Sequence, residues 1–259
     1  MKFAFFGGIY NNYLALESAI KDSQKRGVEQ LYCLGDIGAF GPHPDRVFPL
    51  LNQHQVQVVQ GNYDNSIGND LNDCQCGYTD PKDNHFAQIS YEYTYEKTSS
   101  QNRAWLKELP TEIRFELMGK RFLLCHGSPR KTNEFLWEST TSTHFLKKQA
   151  DDFGADIILG THTGLHWKRN LSEGQQYINV GVLGRPENDG TKNVWYTLVT
   201  IEQDRVDVEF IPLEYDHQRL AKEMQSEKLP EEFVETILTG WWTTCLEVLP
   251  GRERRVGKF

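Results

Sequence analysis

Four polar residues of this chain stand directly after apolar runs, most of them beside glycine. "LYCL" leads to Gly35 and Asp36. "VQVV" leads to Gln60, Gly61, Asn62, Tyr63 and Asp64. "RFLLC" leads to His126 and Gly127, and "DIIL" to Gly160, Thr161, His162, Thr163 and Gly164. A carboxylate, an amide and two imidazoles form a mixed oxygen and nitrogen donor set suited to one divalent ion such as Mn, Fe or Zn. Singly, each has a plainer use: Asp36 as a turn cap, Asn62 and Asp64 in an Asx-turn, His126 as a satisfied core histidine. Four at the ends of apolar runs point to a common site, because ligands of parallel α/β sheets collect beyond the carboxyl ends of strands. Glycine there lets the backbone turn sharply and a ligand approach. The sequence leaves open that no metal is bound.

The elements that would position these groups follow from periodicity. "KFAFF", "EQLYCL" and "VQVV" are expected strands. Between them, "LALESAIKDSQKRG" places Leu14, Leu16, Ala19 and Ile20 roughly on one helical face, and "PDRVFPLLNQ" reads as a short helix. This βαβαβ order predicts a parallel sheet with helices on its faces. Residues 65–84 show no apolar period and read as a loop, followed by helices at "HFAQISYEYTYEKTS" and "QNRAWLKEL", the second capped by Ser100. "EIRFEL" and "RFLLCH" form an expected hairpin. Residues 134–152 read as helical, and the strands "DIILG", "GLHWKRN", "QQYINV", "VWYTLVTIE" and "RVDVEFIPL" follow. The expected division is a domain of residues 1–213, with a helical and loop insertion at 65–110, and an extension of residues 214–259. In that extension "YDHQRLAKEMQS" and "PEEFVETILTG" read as helices, with Pro230 at the start of the second and Gly240 after its end.

The 259 residues are 38% hydrophobic with a net charge of −8. That suits one sizeable domain and argues against a general nucleic-acid binder. The apolar runs are too short for a membrane span. Of five cysteines, Cys33 and Cys125 read as core residues. Cys74 and Cys76 could bind metal, form a disulfide or do neither. An odd count without a signal-peptide pattern fits a reducing cytoplasm. The basic "GRERRVGKF" end reads as a frayed solvated tail. With Trp241 and Trp242 it could alternatively meet a protein partner, although packing on the chain's own domain is the commoner fate.

The motifs resemble those of the calcineurin-like metallophosphoesterases over about residues 1–212. "GDIGAFGP" is similar to that family's GDxxGxGP, "GNYD" to GNHD, "CHGSP" to its strand-end histidine motif, "GTHTG" to GHTH and "YINVGVLGRP" to the closing NxGSxGxP stretch. The resemblance implies a four-layer α/β/β/α sandwich. It also implies two metals: one held by an opening D-x-H and the last His of GHTH, the other by the Asn, the strand-end His and the first His of GHTH. The Asp of GDxxGxGP bridges both. Two such ions activate a water and clamp phosphate oxygens.

The opening "FFGGIYNN" departs from this pattern, since D-x-H falls on Gly8, Ile9 and Tyr10. Matching "GTHTG" by its glycine puts Thr161 and Thr163 on both histidine positions. Matching by length from Asp156 puts His162 on the first and Gly164 on the second, and aligns Arg169; this is the preferred register. Gly8, Tyr10 and Gly164 then mark a lost first site, while Asp36, Asn62, His126 and His162 retain the second. Asp36, Asn62 and His126 would carry catalysis. Tyr63 replaces the His of GNHD. His85, His144, His166 and His217 match no motif, and Asn11, Asn12 or Cys76 could rebuild a ligand set. The implied function is hydrolysis of phosphate mono- or diesters with one retained metal, acting on a phosphate-containing small molecule. The alternative is a catalytically impaired relative that binds or regulates.

Overall fold

The computed structural model describes residues 1–172, 174–203 and 205–256. Two five-stranded sheets form its centre. In the first, β1 (Lys2–Phe6), β2 (Gln30–Cys33) and β3 (Gln57–Val58) run parallel. They are linked through α1 (Tyr13–Lys25) and α2 (Val47–Gln53). The second contains the hairpin β4 (Glu112–Leu117) and β5 (Lys120–Cys125), then β6 (Ile157–Gly160), β7 (His166–Asn170) and β8 (Gln176–Val180). Its order is β4-β5-β6-β8-β7. The chain then returns to the first sheet, where β9 (Val194–Glu202) pairs antiparallel with β1, and β10 (Arg205–Leu213) completes the order β10-β9-β1-β2-β3.

Alternation within the strands decides the layers. Phe3 and Phe5 of β1 join Leu124, Leu159, Ile178 and Val199 in the core between the sheets. Ala4 and Phe6 point the other way, into a larger core with α1, α2, α7 (His217–Ser226) and α8 (Glu231–Thr239). The outer face of the second sheet packs Leu123, Ile158 and Trp167 against Leu146 and Ala150 of α6 (Thr143–Asp152). The result is the expected four-layer α/β/β/α sandwich with a helical C-terminal extension. Helix starts are capped as side-chain chemistry demands: Asn12 Oδ1 accepts from Ala15 N at 3.0 Å, and Asp216 caps α7. Gly240 ends α8 at φ +78°, a conformation that favours glycine.

Several expectations need correction. Asn62–Gly68 forms a helix, α3, although its second half lies inside the expected loop. Its sequence, NYDNSIG, has no apolar stripe; the helix is set by Asp64, whose carboxylate accepts from Gly61 N at 2.8 Å. After α4 (Pro81–Lys97), α5 (Ser100–Lys107) is capped by Ser99, not Ser100. Residues 134–142 are not helical, because side chains take the carbonyls a helix would use. Trp167 Nε1 donates to Leu136 O at 3.1 Å, and Arg169 donates to Glu138 O and Thr141 O. Gly251–Val256 is a short helix, α9, and not a frayed tail: Glu253 accepts from Ser139 N at 2.9 Å. The last three residues of that stretch, 257–259, lie outside the described residues.

Candidate metal centre

Asp36 follows β2, Asn62 opens α3 just beyond β3, His126 follows β5, and His162 follows β6. Two strands of each sheet thus deliver the four groups. Asp36 and His162 hold left-handed backbones, at φ +57° and +70°. Such conformations cost on the order of 1–3 kcal/mol for non-glycine residues and persist where surrounding contacts fix them. Asp64 is the fixing contact for Asp36, accepting from Asp36 N at 2.8 Å and Ile37 N at 3.0 Å. The Asp36 carbonyl in turn accepts from Ile9 N and Tyr10 N. Burial and the Asp36 charge push Asp64 up to about 6.

Ligand atoms of Asp36, His126 and His162 lie within 4.8 Å of one another. All three residues are buried. His126 Nδ1 is 2.6 Å from Leu34 O, and His162 Nε2 is 3.2 Å from Cys76 O. A carbonyl oxygen can only accept, so each of those nitrogens carries the ring proton. The opposite nitrogens, His126 Nε2 and His162 Nδ1, then face each other 3.1 Å apart with lone pairs, and Asp36 Oδ2 stands 3.3 Å from His126 Nε2. Three acceptors meet with no donor among them unless a cation or an extra proton joins them. Anchoring the far nitrogen of a histidine on a carbonyl is also how metal-binding imidazoles are oriented.

Charge follows this geometry. Burial opposes an ionised Asp36, but His126, His162 and the Tyr63 N–H together hold the carboxyl below its ordinary value. Burial likewise opposes a charged His126, yet Asp36 raises it, so that without a cation the extra proton sits on His126 Nε2 and donates to Asp36. Burial and then the His126 charge push His162 down to about 3, leaving it a neutral donor. Asn62 adds a separate sign. Its Nδ2 donates to Cys74 O at 2.8 Å, while its buried Oδ1 has no hydrogen-bond partner. An orphaned buried carbonyl is costly, and the donor chemistry of these four groups fits a divalent ion.

The positions expected for a first metal are filled. A Cβ on Gly8 would lie 2.4 Å from Tyr10 Cε1; one on Gly164, itself at φ +81°, would lie 2.9 Å from Trp242 Cη2. Tyr10 is buried, and burial raises its phenol far above the usual range. Asn12 caps α1 while donating to Gly184 O and so serves the fold; Asn11 Nδ2 donates to Gly41 O, and its buried Oδ1, like that of Asn62, has no hydrogen-bond partner. Cys74 and Cys76 form a disulfide, and Cys33 and Cys125 are free and buried. Tyr63 donates its phenol to Ala87 O at 3.3 Å, and its N–H donates to Asp36 Oδ1 at 3.0 Å. Of the histidines without a motif, His166 pairs with Glu187 at 2.7 Å and His43 lies near Glu223.

Buried acceptors meeting at the strand ends of a double sheet describe a metallophosphoesterase centre, and the chain belongs to that class: residues 1–204 match the calcineurin-like phosphoesterase superfamily domain. An uncharacterised protein of Methanocaldococcus jannaschii is 25% identical over 254 residues, spanning 92% of this chain and 97% of that one. Two crystal structures share the fold. A hypothetical protein from Pyrococcus horikoshii aligns with a TM-score of 0.76 at 21% identity, covering 93% of this chain and 99% of that one. A metallophosphoesterase from Sphaerobacter thermophilus aligns at 0.71 and 22%, with the same coverage. No helix among the described residues is long and apolar enough to cross a membrane.

Sequence reasoning missed Arg185, Trp242 as a wall of the site, and the role of the 74–76 loop in orienting Asn62 and His162. Arg185 lay in view within "VGVLGRP", but nothing in that stretch marks where its side chain goes.

Proposed function

We propose that this chain is a phosphoester hydrolase working with one divalent ion, Mn, Fe or Zn, held by Asp36, Asn62, His126 and His162. Residues 1–213 form the catalytic domain and 214–259 an extension, in a cytoplasmic protein. The observation that carries this reading is the meeting of Asp36 Oδ2, His126 Nε2 and His162 Nδ1 as mutually facing acceptors. A divalent ion bound there lowers the pKa of water and polarises a phosphoryl oxygen. The chain's own part is orientation. Leu34 and Cys76 carbonyls fix the imidazoles, Asp64 fixes the Asp36 turn, and burial keeps His162 neutral. Tyr63, with its phenol on Ala87 O and its pKa raised far by burial, is a poor acid for a leaving oxygen.

His126→Ala removes a central donor. In manganese-loaded protein, hydrolysis of bis(p-nitrophenyl) phosphate should fall by about 100-fold or more, the scale for losing a main transition-state contact, together with bound metal. Unchanged metal content would overturn the assignment. A second reading is favoured by the rings of Tyr10 and Trp242 in the first site: the centre binds a phosphate-containing ligand without turning it over. Metal-loaded wild type with phosphate affinity but no His126-dependent hydrolysis would establish it.

A further inference from the structure

Arg185 is 6% exposed, and its Nε has no hydrogen-bond partner. Among the described residues no carboxylate forms an ion pair with it, and its polar side-chain contact is with the Cys245 thiol. Its guanidinium lies 3.7 Å from the centroid of the Trp242 ring, with Tyr10 and Phe40 rings at 5.9 and 5.8 Å. Aromatic faces stabilise a cation in part, but a buried charge without a counterion is costly.

The same residue lines a cavity of about 40 Å³ shared with Asp36, His162, Tyr10, Tyr78 and Cys245. At roughly 10–15 Å³ per water, that is room for about three waters, the scale of a phosphoryl group and far below a nucleotide. The location matters as well: a Cβ on Gly164 would lie 3.4 Å from Arg185 Nη2. The guanidinium therefore occupies ground assigned by the family resemblance to the last histidine of the lost metal site.

We propose that Arg185 binds the phosphoryl group of the ligand, its fixed charge standing where the first metal's charge would have been. The identity of the anion rests on the reading of the adjoining centre as a phosphoester site. A planar guanidinium suits two phosphate oxygens at once, and the Trp242 face holds it in place. The small cavity requires the organic part of the ester to lie outside, past the segment that carries Thr244 and Cys245.

The test is calorimetric titration of inorganic phosphate into the full chain, manganese-loaded and chelator-treated, for wild type, Arg185→Lys and Arg185→Met. Arg185→Met should weaken phosphate binding by about 10- to 100-fold, the range for a hydrogen-bonded charge, at unchanged manganese content. Arg185→Lys should fall between. Wild-type affinity in Arg185→Met overturns the proposal. Should Arg185→Met fail to fold, wild type still decides: phosphate should slow iodoacetamide modification of Cys245, and an unaltered rate contradicts the proposal. Arg185-dependent phosphate binding with no bound manganese would overturn the metal reading alone. Normal manganese content with Arg185-independent phosphate would overturn this one alone.

Discussion

The two halves of the centre are built from the same kinds of turn but filled differently. On one side, Asp36, His126 and His162 present lone pairs to each other and Asn62 keeps an orphaned oxygen. On the other side, Gly8 and Gly164 offer no donor, and the rings of Tyr10 and Trp242 with the Arg185 guanidinium fill the space. The aromatic and cationic plug, beside the small cavity that Arg185 lines, has its own contacts: Trp242 N–H donates to Asn188 Oδ1 at 2.7 Å, and its Nε1 donates to Pro186 O at 2.6 Å. One half thus has no ligand side chain at Gly8 or Gly164 and is packed with rings, while the other brings three acceptors together where a cation or an extra proton must join them.

That contrast can be broken by rebuilding the lost half. Gly8→Asp, Tyr10→His and Gly164→His together restore the ligand types but leave Trp242 against position 164. The expected outcome is still one metal per chain, and a second metal appears only when Trp242→Ala is added. Two metals in the triple variant would show that the plug is no barrier. Elemental analysis reads both.

A smaller effect concerns the plug itself. Trp242→Ala removes a buried ring and two walls of contact. It should destabilise the chain by about 3–5 kcal/mol, the range for large aromatic truncations in a core, while leaving manganese content unchanged. Denaturant unfolding gives the first quantity; loss of metal in the same variant would mean that the halves are not separable.

The smallest effect sharpens the retained half. Asp64 accepts from the backbone N–H groups of Asp36, Ile37 and Gly61. Asp64→Asn should cost about 1–3 kcal/mol, as for a buried charged hydrogen-bond acceptor, and weaken manganese binding by releasing the Asp36 turn. Full manganese affinity in a destabilised Asp64→Asn chain would show that the turn holds without it.

Most of the retained half was legible in the sequence because its donors are local events, each a polar residue at the end of an apolar run with glycine nearby. The strands were legible for the same reason, since alternation such as Phe3 and Phe5 against Ala4 and Phe6 is written in adjacent letters. The α3 helix was not, because NYDNSIG has no apolar period and depends on a single carboxylate. Residues 134–142 misled in the opposite way: their apolar residues look helical, but Trp167 and Arg169, some 30 positions on, claim the carbonyls. The plug was the least legible part. Arg185 and Trp242 are far apart in the chain, and only the packing of the extension brings them to Gly164.

The central claim is one divalent-ion site in a centre whose other half is filled. Metal content per chain, by elemental analysis after purification without chelators and incubation with manganese, tests it most directly. One equivalent is expected in wild type and none in His126→Ala. Two equivalents, or an equivalent that survives in His126→Ala, would contradict it.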